Sequence, residues 1–203
     1  MSNESKIQAC IFLTSIGIKM TKLAKEQWVE GGLSILREQG ASELSIVKLS
    51  QRLSVTRGAF YYHFKSLNDF IDAMIAVWEE NIIHKGFEQI LTDVSDPRQE
   101  VKNLIEYVTH MSDRLDSVFR HWASSNTHVK EHMARLDQQR LSTVEGLFQR
   151  LANDKAKGMV LARIAYYGYI GSLHTYPIPS AQQQREHALQ MLDLIMAYLE
   201  ETK

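Results

Sequence analysis

Proline is almost absent from this chain of 203 residues, which contains only three, at positions 97, 177 and 179. Because proline removes a backbone donor and clashes with the preceding turn of a helix, the segments between these positions are free to run as long helices. Those segments are rich in Leu, Ala, Gln, Glu and Lys, which favour helix over sheet. The sequence therefore predicts an all-α protein.

The N-terminal stretch IQACIFLTSIGI is apolar but too short to span a bilayer as a helix. It faintly resembles the core of a secretory signal, yet no clean small-residue cleavage site follows it. We interpret residues 1–19 as a loose extension before a compact domain. The single cysteine, Cys10, excludes an intramolecular disulfide and fits a reducing compartment, so we expect a cytoplasmic protein without a membrane partner.

Three helical patterns follow this extension. The first has apolar residues at helical spacing and stops at Gly40, a natural C-cap. Gly32 lies on its apolar stripe, which predicts close packing against another element. Ser45 fits the N-cap of a second, short helix and Thr56 fits that of a third, with a short turn at Ser54 between them. Two short helices joined in this way after a longer one predict a helix-turn-helix.

The third helix carries four aromatic residues in the stretch SVTRGAFYYHF. Phe60 and Phe64 are four apart, so both project toward the other two helices and belong to the core. Tyr61 and Tyr62 are rotated away from that side. Tyrosines on an outward face offer hydroxyls to phosphate oxygens and flat rings to sugars or thymine methyls. This face of the helix therefore predicts contact with nucleic acid.

Charge is unevenly distributed along the chain, although the formal net charge is only −1. Residues 20–66 contain seven Lys or Arg against four Glu, whereas the remainder contains 16 basic and 20 acidic residues. On the third helix, Arg57 is placed to fork onto a guanine edge, and His63 and Lys65 are placed for phosphate. A mildly basic small domain on an acidic larger one suits contact with a polyanion.

The segment LSIVKLSQRLSVTRGAFYYHFKSLNDF resembles the DNA-binding signature of the TetR family of bacterial one-component repressors, and the resemblance extends from about Trp28 to Ile75. It implies a helix-turn-helix domain at residues 20–66 and an effector-binding and dimerisation domain at residues 67–203. It also implies DNA contacts, to bases and to the backbone, from the following residues: Ser45, Lys48, Thr56, Arg57, Gly58, Ala59, Tyr61, Tyr62, His63 and Lys65.

The chain departs from the family pattern at three positions. Ser54 stands where the family usually has glycine, so we expect a residue with a side chain in a left-handed conformation there. Leu67 replaces a customary lysine that touches phosphate, and Ala59 replaces a frequent threonine or serine. Both changes remove polar backbone contacts, so we expect weaker nonspecific binding or compensation from elsewhere.

The rest of the chain reads as further helices. A fourth is expected from Leu67 to about Lys85, a fifth after an Asp96, Pro97 and Gln99 start signal, and a sixth from Leu115 to Ala123. A long helix follows residue 126. The last two are expected at residues 157–174 and from Ser180, which forms a capping box with Gln183.

The last two helices carry the pattern expected of a dimer interface. Small residues at three-residue spacing on the first would let helix backbones approach closely, and the second has an apolar seam. Such a seam closes either a monomer core or a dimer, and the resemblance to the family favours a homodimer, which would read palindromic DNA. The predicted interface residues are Ala162, Ala165, Gly168, Gly171, Ala188, Leu192, Ile195 and Leu199.

A small-molecule effector pocket is also expected, from residues that give polar tips within an apolar lining: Tyr107, His110, Met111, Phe119, Trp122, Tyr166, Tyr169 and His174. Ordinary core packing is the alternative for each of them. The histidines show no compact ligand spacing with cysteine or carboxylate, so we expect neither a metal nor a cofactor.

Two segments of the larger domain, Arg120–Leu151 and Ala162–Gly171, resemble a common subgroup of the same regulators. In that subgroup Trp122, Asp137, Arg140, Arg163 and Tyr166 stand at recurring positions. The structural interpretation is that Asp137 and Arg140, three apart on a helix, pair with each other or with Arg163. A ligand role is the alternative.

The leading functional hypothesis is a homodimeric repressor that binds a palindromic operator and is released by an effector. A helical enzyme is a second hypothesis, but the sequence shows no nucleophile with a base, no phosphate loop and no HExxH run, so we expect no enzymatic activity. A third is an architectural or partner-controlled DNA-binding regulator, which would lack an enclosed apolar pocket.

Overall fold

The computed structural model describes residues 24–91, 96–110 and 115–202, so the extension at residues 1–19 lies outside the described part. Within these ranges the chain is all helical and contains no strand, which confirms the predicted fold class. The helices are α1 (Lys25–Gln39), α2 (Ile46–Arg52), α3 (Arg57–His63), α4 (Leu67–Leu91), α5 (Pro97–His110), α6 (Leu115–Ala123), α7 (Thr127–Ala152), α8 (Lys155–Ser172) and α9 (Ala181–Glu201), with a 3-10 turn at Ala41–Glu43.

Most predicted helix starts are confirmed by side-chain caps. The Ser45 hydroxyl accepts a hydrogen bond from the Lys48 amide at 3.2 Å, and Ser180 and Gln183 cap each other reciprocally. The capping box predicted at α5 is wrong in one half. Asp96 does accept from the Arg98 amide at 3.0 Å, but the Gln99 amide donates to Asn103 at 2.8 Å instead of reaching back. Helix α4 also continues to Leu91, beyond its predicted end.

The turn between α2 and α3 contains the expected exception. Ser54 has φ of 56°, a left-handed conformation that is uncommon for residues with a Cβ. It lets the chain reverse after Leu53 and present α3 across α2. The conformation predicted for Ser54 is therefore confirmed.

The core of the helix-turn-helix continues into the body. One cluster of buried side chains joins α1, α2 and α3 to α4, α6 and the first half of α7. Gly32 allows this contact, because a Cβ there would lie 2.5 Å from Met74 Sδ and 2.6 Å from Phe70 Cζ, both on α4. The predicted close packing at Gly32 is confirmed, and α4 is the element that fills the space. We call the helices up to residue 66 the head and those after it the body. Head and body thus share one core across the boundary proposed at residue 66.

A second core lies among α5, the second half of α7, α8 and α9. Helices α7 and α8 are in close contact at Gly158, where a Cβ would lie 2.5 Å from the Gln149 Cα atom. Because the obstacle is backbone, only glycine fits there. None of the helices in the described ranges is long and apolar enough to cross a membrane.

Candidate functional site

Helix α3 separates its aromatic residues onto two faces, as its sequence predicts. Phe60 and Phe64 are 0% and 1% exposed, whereas Tyr61 and Tyr62 are 59% and 65% exposed. Phe60 packs at ring-centroid distances of 5.6 Å from Trp28 and 5.4 Å from Phe70. The buried face therefore fixes the helix on the core and leaves both tyrosine rings on the surface.

The positive charge of the head is concentrated at α3. Three other basic side chains form ion pairs with glutamates of the same head: Arg37 with Glu30, Arg52 with Glu38, and Lys48 with Glu43. Lys25 lies over the Phe64 ring at 5.2 Å. By contrast, Arg57 and Lys65 are exposed and make no ion pair within the described residues. The surplus positive charge therefore flanks the tyrosine face.

The remaining predicted DNA-binding residues near this face differ in their exposure and their contacts. Thr56 is exposed and its side chain makes no cap hydrogen bond. Gly58 borders open space, since a Cβ there would meet only Thr56 Oγ1, at 3.8 Å. Half-buried His63 packs edge-on against Tyr62, with ring centroids 4.9 Å apart. Ala59 is half-buried and packs against the core, so it offers less surface than predicted.

The body contains an apolar cavity of about 320 Å³ between α5, α7, α8 and α9. Much of its wall is aliphatic or aromatic, from residues that include Leu104, Ile105, Val144, Phe148, Leu192 and Ile195. Of the predicted pocket residues, Tyr107, Tyr166 and Tyr169 line it. Its volume lies at the lower end of the range for small-molecule sites.

Several of the residues predicted for the pocket do not line this cavity. Phe119 and Trp122 belong to the core shared by head and body, and His174 is exposed beyond the end of α8. The side chains of His110 and Met111 lie outside the described residues. Aromatic residues at helical spacing serve equally well as core, so only packing separates these from the true lining.

One wall of the cavity is an ion-pair network that sequence reasoning missed in part. Asp116 accepts hydrogen bonds from Arg120 at 2.7 Å and from Arg140 at 2.6 Å. Asp137 accepts two from Arg120, at 2.9 and 2.6 Å, and one from the Tyr166 hydroxyl at 2.7 Å. Asp116 and Arg140 both line the cavity.

The predicted pairing of Asp137 and Arg140 with each other or with Arg163 is wrong. Asp137 pairs with Arg120, Arg140 with Asp116, and Arg163 with Glu145. Burial by itself would raise the pKa of Asp137, but hydrogen bonds from Arg120 and Tyr166 outweigh that effect and hold this pKa below its usual value. The Asp137 carboxylate therefore stays ionised at neutral pH.

Two polar groups face the cavity from other sides. Gln184 on α9 is 6% exposed, and its Oε1 atom has no hydrogen-bond partner among the described residues. Burial, with a smaller contribution from Asp116, raises the pKa of Tyr169 to about 12, so this hydroxyl stays protonated. A buried amide oxygen without a partner is unfavourable, and a donor group on a bound molecule would satisfy it.

The predicted dimer seam lies mostly inside the chain. Leu192, Ile195 and Leu199 are buried in the second core, and Ala188 packs against it. Of the small residues on α8, Ala162 and Ala165 are also buried. Only Gly168 and Gly171 are exposed, with no heavy atom within 4 Å of an added Cβ. Residues at this helical spacing pack in the chain's own core. The prediction that the buried ones form the dimer interface is therefore corrected: they are core residues.

A different apolar surface is exposed on the same two helices. Val160, Ile164 and Tyr167 on α8 are 58%, 55% and 60% exposed, and Leu194 and Tyr198 on α9 are 73% and 46% exposed. We call these five residues the α8–α9 face. The helices run antiparallel, since Lys157 Nζ donates to the Thr202 carbonyl at 3.2 Å. With equal rise per residue, Val160 and Ile164 stand level with Tyr198 and Leu194.

Sequence reasoning also missed a compact histidine cluster. His128 and His132 on α7 both place Nε2 beside Oδ1 of Asp72 on α4, at 2.7 and 2.6 Å. The signal was available as a pair of histidines four apart, but the carboxylate comes from another helix. The statement that the histidines lack a compact ligand set is therefore wrong.

Comparison with known proteins identifies relatives of the head in sequence. Residues 29–74 match the family model of bacterial regulatory proteins, tetR family. The chain is 40% identical over 55 residues to the tetracycline repressor protein class G of Vibrio anguillarum, covering 27% of this chain and 26% of that protein. It is 36% identical over 66 residues to the class A tetracycline repressor protein from transposon 1721 of Escherichia coli, covering 32% and 31%. The chain thus spans less than a third of the length of these two relatives.

The fold comparison extends over the body. A TetR transcription regulator from Haloarcula marismortui superposes with a TM-score of 0.69 at 14% identity, covering 84% of this chain and 96% of that one. At this identity the likeness shows the fold alone. Taken together, residues 29–74 are similar in sequence to the bacterial regulatory proteins of the tetR family, and the described chain shares the all-helical fold of such regulators.

Proposed function

We propose that the chain is a homodimeric repressor that binds palindromic operator DNA through α3 and is released by a small, largely apolar effector. The observation that carries the proposal is the two-faced α3. Its inner side is fixed by Phe60 and Phe64, while Tyr61 and Tyr62 are exposed beside cations that no acid neutralises in the described part of the chain. A rigid helix with exposed hydrogen-bonding aromatics and free positive charge suits a major groove.

Each side chain on this face has a chemical role in the proposal. The Arg57 guanidinium, in the first turn of α3, forks onto a guanine edge. Tyr61 and Tyr62 donate their hydroxyls to phosphates, and Lys65 neutralises a phosphate near the end of the helix. Gly58, which borders open space, lets the DNA approach the helix backbone. Binding of this kind weakens steeply with salt, because neutralised phosphates release counterions.

The DNA-binding experiment uses an operator selected from random duplexes by the wild-type protein. We expect the Tyr61→Ala, Tyr62→Ala double variant to bind that operator at least about tenfold more weakly, since two hydrogen bonds of about 1 kcal/mol each are lost. Arg57→Ala should lose about 5- to 150-fold and accept other bases at one position of each half-site. Fluorescence anisotropy across a salt series measures both.

Tyr176→Ala is the matched control, because Tyr176 is 92% exposed between α8 and α9. It should bind the operator as the wild type does. If the folded double variant also binds with wild-type affinity, α3 is not the recognition helix and the proposal fails.

The dimer is proposed to form through the α8–α9 face. Two antiparallel helices present level pairs of exposed apolar residues there, and Gly168 and Gly171 leave room for a partner helix to approach. A self-complementary patch of this kind is what two-fold symmetry requires. It also supplies the two recognition helices that a palindrome needs.

Replacing Ile164 with glutamate should dissociate this dimer. The carboxylate would be buried opposite its own symmetry copy, which is strongly unfavourable. Light scattering during size exclusion should report the mass of two 23.3 kDa chains for the wild type and the mass of one chain for Ile164→Glu. Val77→Glu, at a 38% exposed apolar position on α4, should remain dimeric. A dimer that persists in folded Ile164→Glu would place the interface elsewhere.

The effector is proposed to occupy the cavity of about 320 Å³. Its apolar wall selects a molecule with little charge, and the Oε1 atom of Gln184 selects one hydrogen-bond donor. Coupling of about 1–3 kcal/mol between cavity and DNA would change operator affinity 5- to 150-fold.

Ala188→Phe tests the cavity by filling it with a ring from α9. The uncharged fluorescent probe N-phenyl-1-naphthylamine should bind wild type and bind this variant at least about tenfold more weakly, since the ring takes the space of the ligand. Ala134→Phe, on the exposed side of α7, is the control and should bind as wild type. Equal probe binding by the two variants would mean that the cavity is not a ligand site and would favour a partner-controlled regulator.

A further inference from the structure

The cluster at Asp72 brings two imidazoles and one carboxylate to a single point. His128 and His132 direct Nε2 to the same oxygen of Asp72, and their rings lie 5.2 Å apart between centroids. The three atoms available as ligands all lie within 4.8 Å of one another. The convergence is a product of packing, because Asp72 belongs to α4 and the two histidines to the first turns of α7.

The local sequence explains the orientation of the histidines. Residues four apart on a helix lie one turn above each other on the same side, so His128 and His132 must project together. Two histidines at this spacing are a known way for a helix to bind zinc. Asp72 supplies the third ligand from the facing helix, and its negative charge complements a cation.

We propose that Asp72, His128 and His132 bind a divalent transition-metal ion of the zinc type, with a solvent molecule as the fourth ligand. Imidazole nitrogen and carboxylate oxygen are ligands that Zn²⁺ prefers, at about 2.0–2.2 Å. Tetrahedral bonds of that length set ligand atoms about 3.4 Å apart. The present Nε2 to Oδ1 distances are 2.7 and 2.6 Å, so a side-chain opening of less than about 1 Å suffices.

The surroundings permit that opening. The side chains of His128, His132 and Asp72 are 29%, 18% and 45% exposed, so solvent reaches the cluster. Arg135 donates to Nδ1 of His132 at 2.8 Å. When Nε2 binds a metal, Nδ1 carries the ring proton, and Arg135, which is exposed, turns toward solvent. Metal binding therefore exchanges hydrogen bonds between side chains for bonds to the ion.

The site would also link two parts of the fold. Helix α4 follows directly after α3 and shares its core, whereas α7 begins among the helices of the body. An ion bound between them would tie α4 to α7 at a fixed distance. Binding of the metal itself does not depend on the proposed role in DNA recognition, so the two proposals fail separately.

The test is calorimetric titration of untagged protein with ZnCl₂, carried out in a Cys10→Ser background to remove the thiol. We expect one strong site per chain. His132→Gln, His128→Gln and Asp72→Asn should each weaken it at least tenfold, because each removes one of three ligands. Added Co²⁺ should produce a visible absorption band of a four-coordinate site in the parent protein and not in these variants.

His121→Gln is the matched control, since His121 is an exposed histidine on α6, and it should bind Zn²⁺ as the parent does. Circular dichroism confirms that each variant is folded. The proposal is overturned if the parent shows no strong site, if the three folded variants bind as the parent does, or if His121→Gln weakens binding equally.

Discussion

Replacing Asp116 with alanine should lower the free energy of unfolding by about 3–5 kcal/mol, because it leaves buried guanidinium charge without its partner. The Asp116 side chain is 9% exposed, and those of Arg120 and Arg140 are 7% and 10% exposed. Arg120 keeps Asp137, but Arg140 loses the carboxylate that holds it at 2.6 Å. Urea unfolding followed by circular dichroism measures the change.

The control for Asp116 is Asp193→Ala. Asp193 pairs with Arg98 at 3.1 Å with side chains 68% and 41% exposed, and surface pairs of this kind contribute at most about 1 kcal/mol. A loss of less than about 1 kcal/mol in Asp116→Ala would show that solvent reaches the network in solution and that the pair is not a structural anchor.

The second large effect is expected at Phe60. Phe60→Ala should lower the free energy of unfolding by about 3–5 kcal/mol, since a fully buried ring leaves a cavity that the surrounding rings of Trp28, Phe64 and Phe70 only partly fill. Thermal unfolding of the whole chain measures it. Because head and body share this core, the loss should appear in a single transition.

The neighbouring residue gives the contrast. Tyr61→Ala alters a 59% exposed side chain and should change stability by less than about 1 kcal/mol while weakening operator binding. Phe60→Leu keeps most of the buried volume and should fall between the two alanine variants. Equal losses of stability at positions 60 and 61 would contradict the division of α3 into a core face and a DNA face.

Local features of the fold were predictable because they depend on neighbours in sequence. Gly40, Ser45 and Ser180 mark helix ends through their own backbone and side-chain chemistry, and each stands at a helix boundary. The left-handed conformation of Ser54 was expected from a resemblance in sequence and from the steric limits of a tight turn. The two faces of α3 follow from the period of 3.6 residues alone.

The predicted dimer seam shows what helical periodicity leaves undetermined. Helical periodicity states that Leu192, Ile195 and Leu199 share a face, but not which surface covers it. The structure buries them in the second core, against α5 and α8, and leaves Ile164 and Leu194 exposed instead. An apolar stripe within one chain and one between two chains have the same spacing, so only the packing of α8 and α9 distinguishes them.

The sequence by itself determined the all-helical class, the helix-turn-helix and the outward tyrosines, since each rests on residues within one or two helical turns. Tertiary structure alone decided the pairs that join distant segments, Asp116 with Arg140 and Asp72 with His128 and His132. It also decided the shape of the cavity. These features depend on which helix faces cross, and helix crossings are set by the fit of side chains from all the helices together rather than by any local pattern.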